Sequence, residues 1–247
     1  MIEAQDVTVR FGATTAVTDV SVTVPDEGVL GLVGPNGSGK TTLLRTLHGA
    51  LTPTSGTVLL DGRPLRDLRR RDIARHIAVV AQQPDATAPV SVAELVTLGR
   101  LPHQGFAART GATDRRIVSD ALAAVGLGEL ATRDVAVLSG GERQRALIAR
   151  ALAQQTGHVL LDEPTNHLDI RFQHEVLRLV RELPGAAVVL HDLNLAARYC
   201  DRIMVLDHGR TVASGTPEEV LTPEILEPVY GVRVRRVELD GELHLLL

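Results

Sequence analysis

Aromatic rings are scarce in this sequence. Its 247 residues include three Phe, two Tyr and no Trp. A core built from this chain must therefore come from Val, Leu, Ile and Ala. Any site that needs a stacking ring has Phe11, Phe106, Phe172, Tyr199 and Tyr230 to draw on. Cysteine is scarcer still. Cys200 stands alone, which excludes an internal disulfide and suits a reducing cytoplasm. No apolar run approaches the ~20 residues that a membrane span requires, and the opening MIEAQDVTVRFG carries no basic-then-apolar export signal. If the protein serves a membrane, other chains must cross it. A basic surplus is also missing. The net charge of -4 argues against a general nucleic-acid binder. The one basic cluster, Arg66 to Arg75 with Arg69-Arg70-Arg71 inside it, reads as the solvated face of a helix.

What remains is an ordinary globular composition, 44% hydrophobic and 23% charged. The length suffices for one sizeable core, or for one core with a smaller appended subdomain. Val7, Val9 and Phe11, then Val20, Val22 and Val24, recur at period two, the pattern of half-buried antiparallel strands. Val29–Val33, Thr57–Leu60 and Ile77–Ala81 read as further strands, and Lys40–Leu51 as a helix. Between about 84 and 155 strand runs give way to helical patterns at Val92–Gly99, Asp114–Val125 and Gly141–Ala153. Strands resume at His158–Leu161, Ala186–Leu190 and Ile203–Leu206, with a helix at Phe172–Leu183 between them. Strands alternating with helices predict a mostly parallel α/β sheet. How the tail from Thr222 onward docks is left open by the pattern.

Gly34-Pro35-Asn36-Gly37-Ser38-Gly39-Lys40-Thr41 matches G-x-x-x-x-G-K-[ST], between an apolar strand and a helix. Glycines let the backbone wrap a polyphosphate with its N–H groups turned inward, and the helix N-terminus adds its positive dipole end. Lys40 supplies a point charge to the β- and γ-phosphates. Thr41 offers a hydroxyl to Mg²⁺, which keeps several waters and few protein ligands. This motif implies a nucleoside triphosphate and nothing narrower. Asn166-His167-Leu168-Asp169 lacks the lysine of a guanine-reading motif.

Val159-Leu160-Leu161-Asp162-Glu163 is an apolar strand ending in two carboxylates. At the carboxyl edge of a sheet both can reach a nucleotide crevice. Asp162 is placed to hold Mg²⁺ through its water shell, and Glu163 to polarise an attacking water.

In Leu138-Ser139-Gly140-Gly141-Glu142-Arg143-Gln144, Ser139 and Glu142 form a capping box that opens a helix. A cap does not explain Gly140-Gly141, since two glycines cost about 1 kcal/mol each in a helical turn relative to Ala. Main chain that approaches a ligand does, because a second helix N-terminus is a second anion site. One copy of this fold does not readily bring that turn and the phosphate loop to the same phosphate. A head-to-tail dimer does, with Ser139–Gly141 of one chain closing over the ATP of the other.

This motif, placed ahead of Asp162, resembles the signature of the ABC transporter ATPases, and the resemblance covers nearly the whole chain. It implies an α/β fold: a P-loop NTPase (RecA-like) core sheet with an N-terminal antiparallel β subdomain and an inserted α-helical subdomain. The implied division is a core over about 1–83 and 156–221, a helical part over about 84–155 and a tail over 222–247. The phosphate loop extends over Gly34–Thr42, including Thr42. Asp169, in Thr165-Asn166-His167-Leu168-Asp169, matches the residue that touches the partner's phosphate loop. His191 resembles the switch histidine that contacts the γ-phosphate. Gln82 resembles the glutamine that joins Mg²⁺ and senses the membrane partner; Gln83 stands beside it, and the spacing to Val92–Leu95 favours Gln82. Phe11 resembles the ring that stacks on adenine, with Val17 padding the same ring. Two residues depart from the pattern: Ala81 where many relatives carry proline, and Glu142 where glutamine is common.

Leu98-Gly99-Arg100-Leu101-Pro102-His103, Asn166–Arg171, His191–Asp201 and Gly215–Pro223 resemble the importers of iron-siderophores, haem and cobalamin. The implied partners are a second copy, polytopic permease subunits and, indirectly, a substrate-binding protein, with no nucleic acid. The implied location is the cytoplasmic face of the membrane. A soluble ATPase of the same fold acting on ribosomes or DNA is the alternative, but such proteins carry tandem copies or long coiled-coil insertions, and this chain has neither. A small-molecule kinase leaves Ser139–Gln144 unexplained.

Overall fold

Alternating valines at the start of the chain build a hairpin. β1 (Ile2–Phe11) and β2 (Thr14–Val24) pair antiparallel, with Ile2 opposite Val24 and Phe11 opposite Thr14. The computed structural model describes residues 1–81, 90–104, 111–166, 168–239 and 241–246. Next come β3 (Gly28–Val33), α1 (Lys40–Leu47), β4 (Ser55–Leu60), β5 (Arg63–Pro64), α2 (Arg70–His76) and β6 (Ile77–Val80). Three helices follow: α3 (Val92–Thr97), α4 (Ala112–Ala124) and α5 (Gly140–Ala153). The chain then alternates through β7 (His158–Asp162), α6 (Ile170–Arg181), β8 (Gly185–Val189), α7 (Leu193–Tyr199), β9 (Arg202–Asp207) and β10 (Arg210–Gly215). It ends in α8 (Pro217–Val220), α9 (Pro223–Tyr230), β11 (Arg235–Leu239) and β12 (Glu242–Leu246).

Among the described residues the main sheet runs β10-β9-β3-β8-β7-β6, parallel except for β10. A second, antiparallel sheet runs β2-β1-β4-β5. The parallel strands are covered on both faces, which is why they read as unbroken apolar runs. Leu30 and Leu32 of β3, Leu160 of β7 and Val189 of β8 pack with α1 and the antiparallel sheet. Val29, Val33, Leu161 and Val188 face the other way, into a cluster that continues through α3 to α9. The largest fully buried side chains are Leu and Ile, as the scarcity of rings requires.

Three details depart from the sequence reading. α1 stops at Leu47 rather than Leu51, because the N–H groups of Ala50 and Leu51 turn back onto the Arg45 carbonyl. β10 leaves little period-two signal, being an edge strand with one buried residue, and only its pairing with β9 defines it. The tail is docked: Leu226 of α9 is fully buried, and Val234 and Leu245 are 4% and 3% exposed. The basic cluster does lie on a helix with no buried residue, α2, yet it also bridges. Arg71 Nε and Arg75 Nε each donate to the Pro102 carbonyl at 2.9 Å, tying α2 to the turn that follows α3.

Leu226→Ala should therefore cost about 2–5 kcal/mol, the range for truncating a buried leucine. Chemical denaturation measures it. A loss below 0.5 kcal/mol, roughly what a surface change costs, would mean that the tail is not part of the core.

Candidate active site

Three parallel strands deliver the site. β3 ends at the phosphate loop, β7 ends at Asp162, and β8 runs out toward His191. Glycine is required at both ends of the loop. Gly34 has φ +146°, and a Cβ there would sit 2.0 Å from the Leu206 carbonyl oxygen. Gly39 has φ +101°, with a Cβ position 2.5 Å from the Ala16 carbonyl oxygen. No L side chain fits either place. Lys40 opens α1 and is 5% exposed; its Nζ donates to the Gly34 and Pro35 carbonyls at 2.7 and 2.8 Å, drawing the loop around the ammonium.

Thr41 Oγ1 donates to Asp162 Oδ1 at 2.9 Å. Asp162 is the last residue of β7, and Glu163 leaves the strand with φ +52°. That left-handed step breaks the strand's alternation, so the second carboxylate joins the cleft instead of pointing to the opposite face. Non-glycine residues held at such φ values cluster at functional sites. Glu163 is then fixed from two sides. Its Oε1 lies 2.7 Å from His191 Nε2, and its Oε2 accepts from Asn166 Nδ2. Asn166 went unassigned in the sequence; its place three residues after the carboxylate, in a turn, was the available signal.

A cleft of about 350 Å³ opens among these groups, lined by Phe11, Ala16, Asn36, Gly37, Ser38, Gly39, Lys40, Thr41, Thr42 and Glu163. Phe11 is 52% exposed at its rim. Val17 does not line it. The side chain is fully buried in the core, because it points inward from β2 beneath the loop, and the neighbouring Ala16 faces the cleft.

The charges are unevenly solvated. Burial pushes the Lys40 ammonium below the usual lysine range, and Glu163 and Asp162 pull it back toward the charged form. Burial pushes the Asp162 carboxyl above the usual range, Glu163 adds in the same direction, and the Thr41 hydrogen bond opposes it. Two carboxylates thus face one ammonium, and a cation would relieve the excess. The donors fit Mg²⁺, which takes oxygen ligands and retains waters. Thr41 and Asp162 are such donors, and among the described residues no group of three or more His, Cys, Asp or Glu side chains is arranged to hold a metal ion by itself. Ser38 Oγ is buried and has no partner there, which suits a hydroxyl meant to donate to a phosphate or to a metal's water.

The remaining expected residues lie elsewhere. Ser139, Gly140, Gly141, Glu142 and Asp169 do not line the cleft. Ser139 and Glu142 form the capping box of α5, with Glu142 Oε2 accepting from the Ser139 N–H at 2.8 Å. Asp169 caps α6 by accepting from the Phe172 N–H at 3.0 Å. Gly141 has a reason within the chain: a Cβ there would meet the Phe172 ring at 3.1 Å. Only Gly140 of the pair is exposed, so the argument for main chain near a ligand narrows to Ser139–Gly140. Gln82 lies outside the described residues, as do Gln83 and Phe106.

Comparison with known proteins identifies the family and the fold. The ABC transporter family profile matches residues 17–166. The chain is 42% identical over 237 residues to a ferric enterobactin transport ATP-binding protein of Escherichia coli (strain K12), covering 94% of this chain and 88% of that protein. It is 46% identical over 243 residues to a hemin import ATP-binding protein of Pseudomonas entomophila (strain L48), covering 95% and 94%. Its fold is similar to the dimeric structure of a bacterial ABC transporter cassette, with TM-score 0.77, 28% identity, and 88% of this chain and 99% of that one covered.

The Asp162 shift has a sign that can be checked. The folded state holds this proton more tightly than the unfolded chain, so ionising Asp162 weakens the fold, fully so at neutral pH. Asp162→Asn should raise the melting temperature of the chain without nucleotide at about pH 7, and the gain should vanish below about pH 4, where the unfolded carboxyl is also protonated. A melting temperature that is lower at neutral pH would refute the desolvation argument.

Proposed function

The chain belongs to the ABC transporter family, and from that premise we propose that it is the ATP-hydrolysing subunit of an importer, working as a head-to-tail pair at the cytoplasmic face of a membrane. The observation that carries the pairing is the split just described. Lys40, Thr41, Asp162, Glu163 and His191 gather at one sheet edge, whereas the Ser139–Gly140 turn and Asp169 lie outside that cleft. Val137 and Ile170, beside these two, are 62% and 74% exposed, as residues that await a second copy are.

In this reading the loop N–H groups and Lys40 hold the triphosphate, and Phe11 stacks on the adenine. Thr41 and Asp162 would hold Mg²⁺, which would supply charge neutralisation at the phosphates, and Gln82 is the further ligand that the family resemblance implies. Glu163 polarises the attacking water, with Asn166 and His191 fixing its carboxylate. His191 reaches on to the γ-phosphate. From the other copy, Ser139 and Gly140 close over the nucleotide and Asp169 meets the phosphate loop. ATP binds the closed pair better than the open one, and that difference shifts the population.

Among the described residues no helix is long and apolar enough to cross a membrane, so transport needs permease subunits. We place their docking site in a groove of about 470 Å³ lined by His48, Ile73, Leu98, Leu101, Arg150 and Gln154. Leu98 and Leu101 are 49% and 58% exposed there. The helical part at 84–155 transmits closure to that groove. The relatives' names favour an iron-siderophore, haem or cobalamin as cargo, delivered by a substrate-binding protein.

Two measurements test this. Glu163→Gln should keep ATP binding, lose turnover by about 100-fold or more, and trap a dimer in size-exclusion chromatography; normal turnover would remove Glu163 from the base role. Leu101→Asp should abolish co-purification with co-expressed permease subunits; undiminished co-purification would move the docking site elsewhere.

A further inference from the structure

The C-terminal hairpin makes a contact that simple burial does not require. Asn194, in the first turn of α7, pairs its side-chain amide with the main chain of Leu245 in β12. Leu245 N–H donates to Asn194 Oδ1 at 2.7 Å, and Asn194 Nδ2 donates to the Leu245 carbonyl at 3.1 Å. Both main-chain groups of Leu245 thus turn from β11 onto one side chain, which completes the hairpin edge as another strand would. Arg198, one turn further along α7, pairs with Glu242 at 3.2 Å.

Neither element is stable by itself. A lone two-stranded hairpin is marginal in water, and so is a helix of seven residues. The hairpin leans on α7, whose Leu193, Leu195, Ala196 and Tyr199 are themselves packed in the core. α7 begins directly after the cleft: Asp192 caps it by accepting from the Asn194 and Leu195 N–H groups at 2.8 and 3.0 Å, and His191 precedes that cap. From Leu245 through Asn194 and Asp192 to His191 and Glu163, every step is a hydrogen bond or a peptide link between neighbouring residues. The same tail also approaches the phosphate loop. The Tyr230 hydroxyl of α9 is buried near the Gly34 N–H without reaching hydrogen-bond geometry.

We propose that the hairpin β11–β12 is a strap that positions His191 through Asn194, so that the C-terminal tail sets the geometry of the γ-phosphate sensor. Asn194 is a positioning residue in this scheme and touches no substrate. The scheme rests on the role given to His191 above. Linkage requires reciprocity: whatever engages His191 must tighten the strap, and loosening the strap must misplace His191.

The test uses the full chain. Asn194→Ala should lower kcat for ATP about tenfold, the loss expected for two hydrogen bonds that act through one group, while KM changes less than about twofold. A purely structural role would instead lower the folded fraction and leave kcat per folded molecule unchanged. In the Glu163→Gln chain, amide exchange at Leu245 should slow about tenfold when ATP and Mg²⁺ are added. Normal kcat in Asn194→Ala overturns the proposal, as does unchanged Leu245 exchange; if the variant does not fold, the exchange measurement decides alone. His191→Ala separates the two readings. Normal turnover there refutes the sensor role, whereas slow turnover there with normal kcat in Asn194→Ala refutes only the strap.

Discussion

The site depends on the register of three parallel strands. Leu32 of β3 pairs with Val189 of β8, and Val189 pairs with Asp162 of β7. These three residues lie side by side, so everything just beyond them shares one edge. Gly34 follows Leu32 by two residues, His191 follows Val189 by two, and Glu163 follows Asp162 by one. No side chain need reach far to meet the others. A slip of one residue in the β7–β8 ladder would turn over the faces of β7 and would carry Asp162 away from Thr41. The packing forbids that, because Leu160 is committed to one face and Leu161 to the other.

Given that edge, the chemistry is a matter of desolvation. Lys40 and Asp162 are nearly buried, and each is shifted by burial toward its neutral form. The cleft counters this with short-range partners: loop carbonyls for Lys40 and the Thr41 hydroxyl for Asp162. Glu163 is left at 18% exposure, held by His191 and Asn166, and so retains access to water. The two carboxylates are neighbours in sequence but not in environment. That difference is what the proposed division of roles, Asp162 as electrostatic anchor and Glu163 as base, relies on.

The two glycines of the Ser139 turn have different surroundings. Gly141 packs against Phe172, and Arg145 lies over the same ring with its guanidinium carbon 5.3 Å from the centroid. This ties the start of α5 to the start of α6. In the pairing proposed above, this one aromatic contact joins the two segments that would meet the second copy. The sequence reading assigned both glycines to ligand approach because periodicity carries no information about which distant ring a helix start meets.

Local signals were enough for most of the fold. Period-two valines, apolar runs and the helical texture after residue 90 placed β1–β4, β6–β9 and the longer helices, since each element's pattern follows from its own geometry, but left β5, β10, α7 and the elements of the tail unplaced. The phosphate loop, the acid pair and the capping box were legible for the same reason. The rest was decided by contacts between residues far apart in sequence. Val17 turned inward and left the cleft wall to Ala16 because the strand's alternation beneath the loop settles which face is which. The edge strand β10 and the docked tail have weak patterns of their own and are defined by β9, α7 and the core. The sequence by itself determined the nucleotide chemistry, because backbone-cradling glycines, a lysine and two strand-end carboxylates are encoded within short segments. Only the tertiary structure decided how Glu163 is held, why Gly141 lacks a side chain and what the tail grips, because each of those depends on a partner that the chain reaches only after folding.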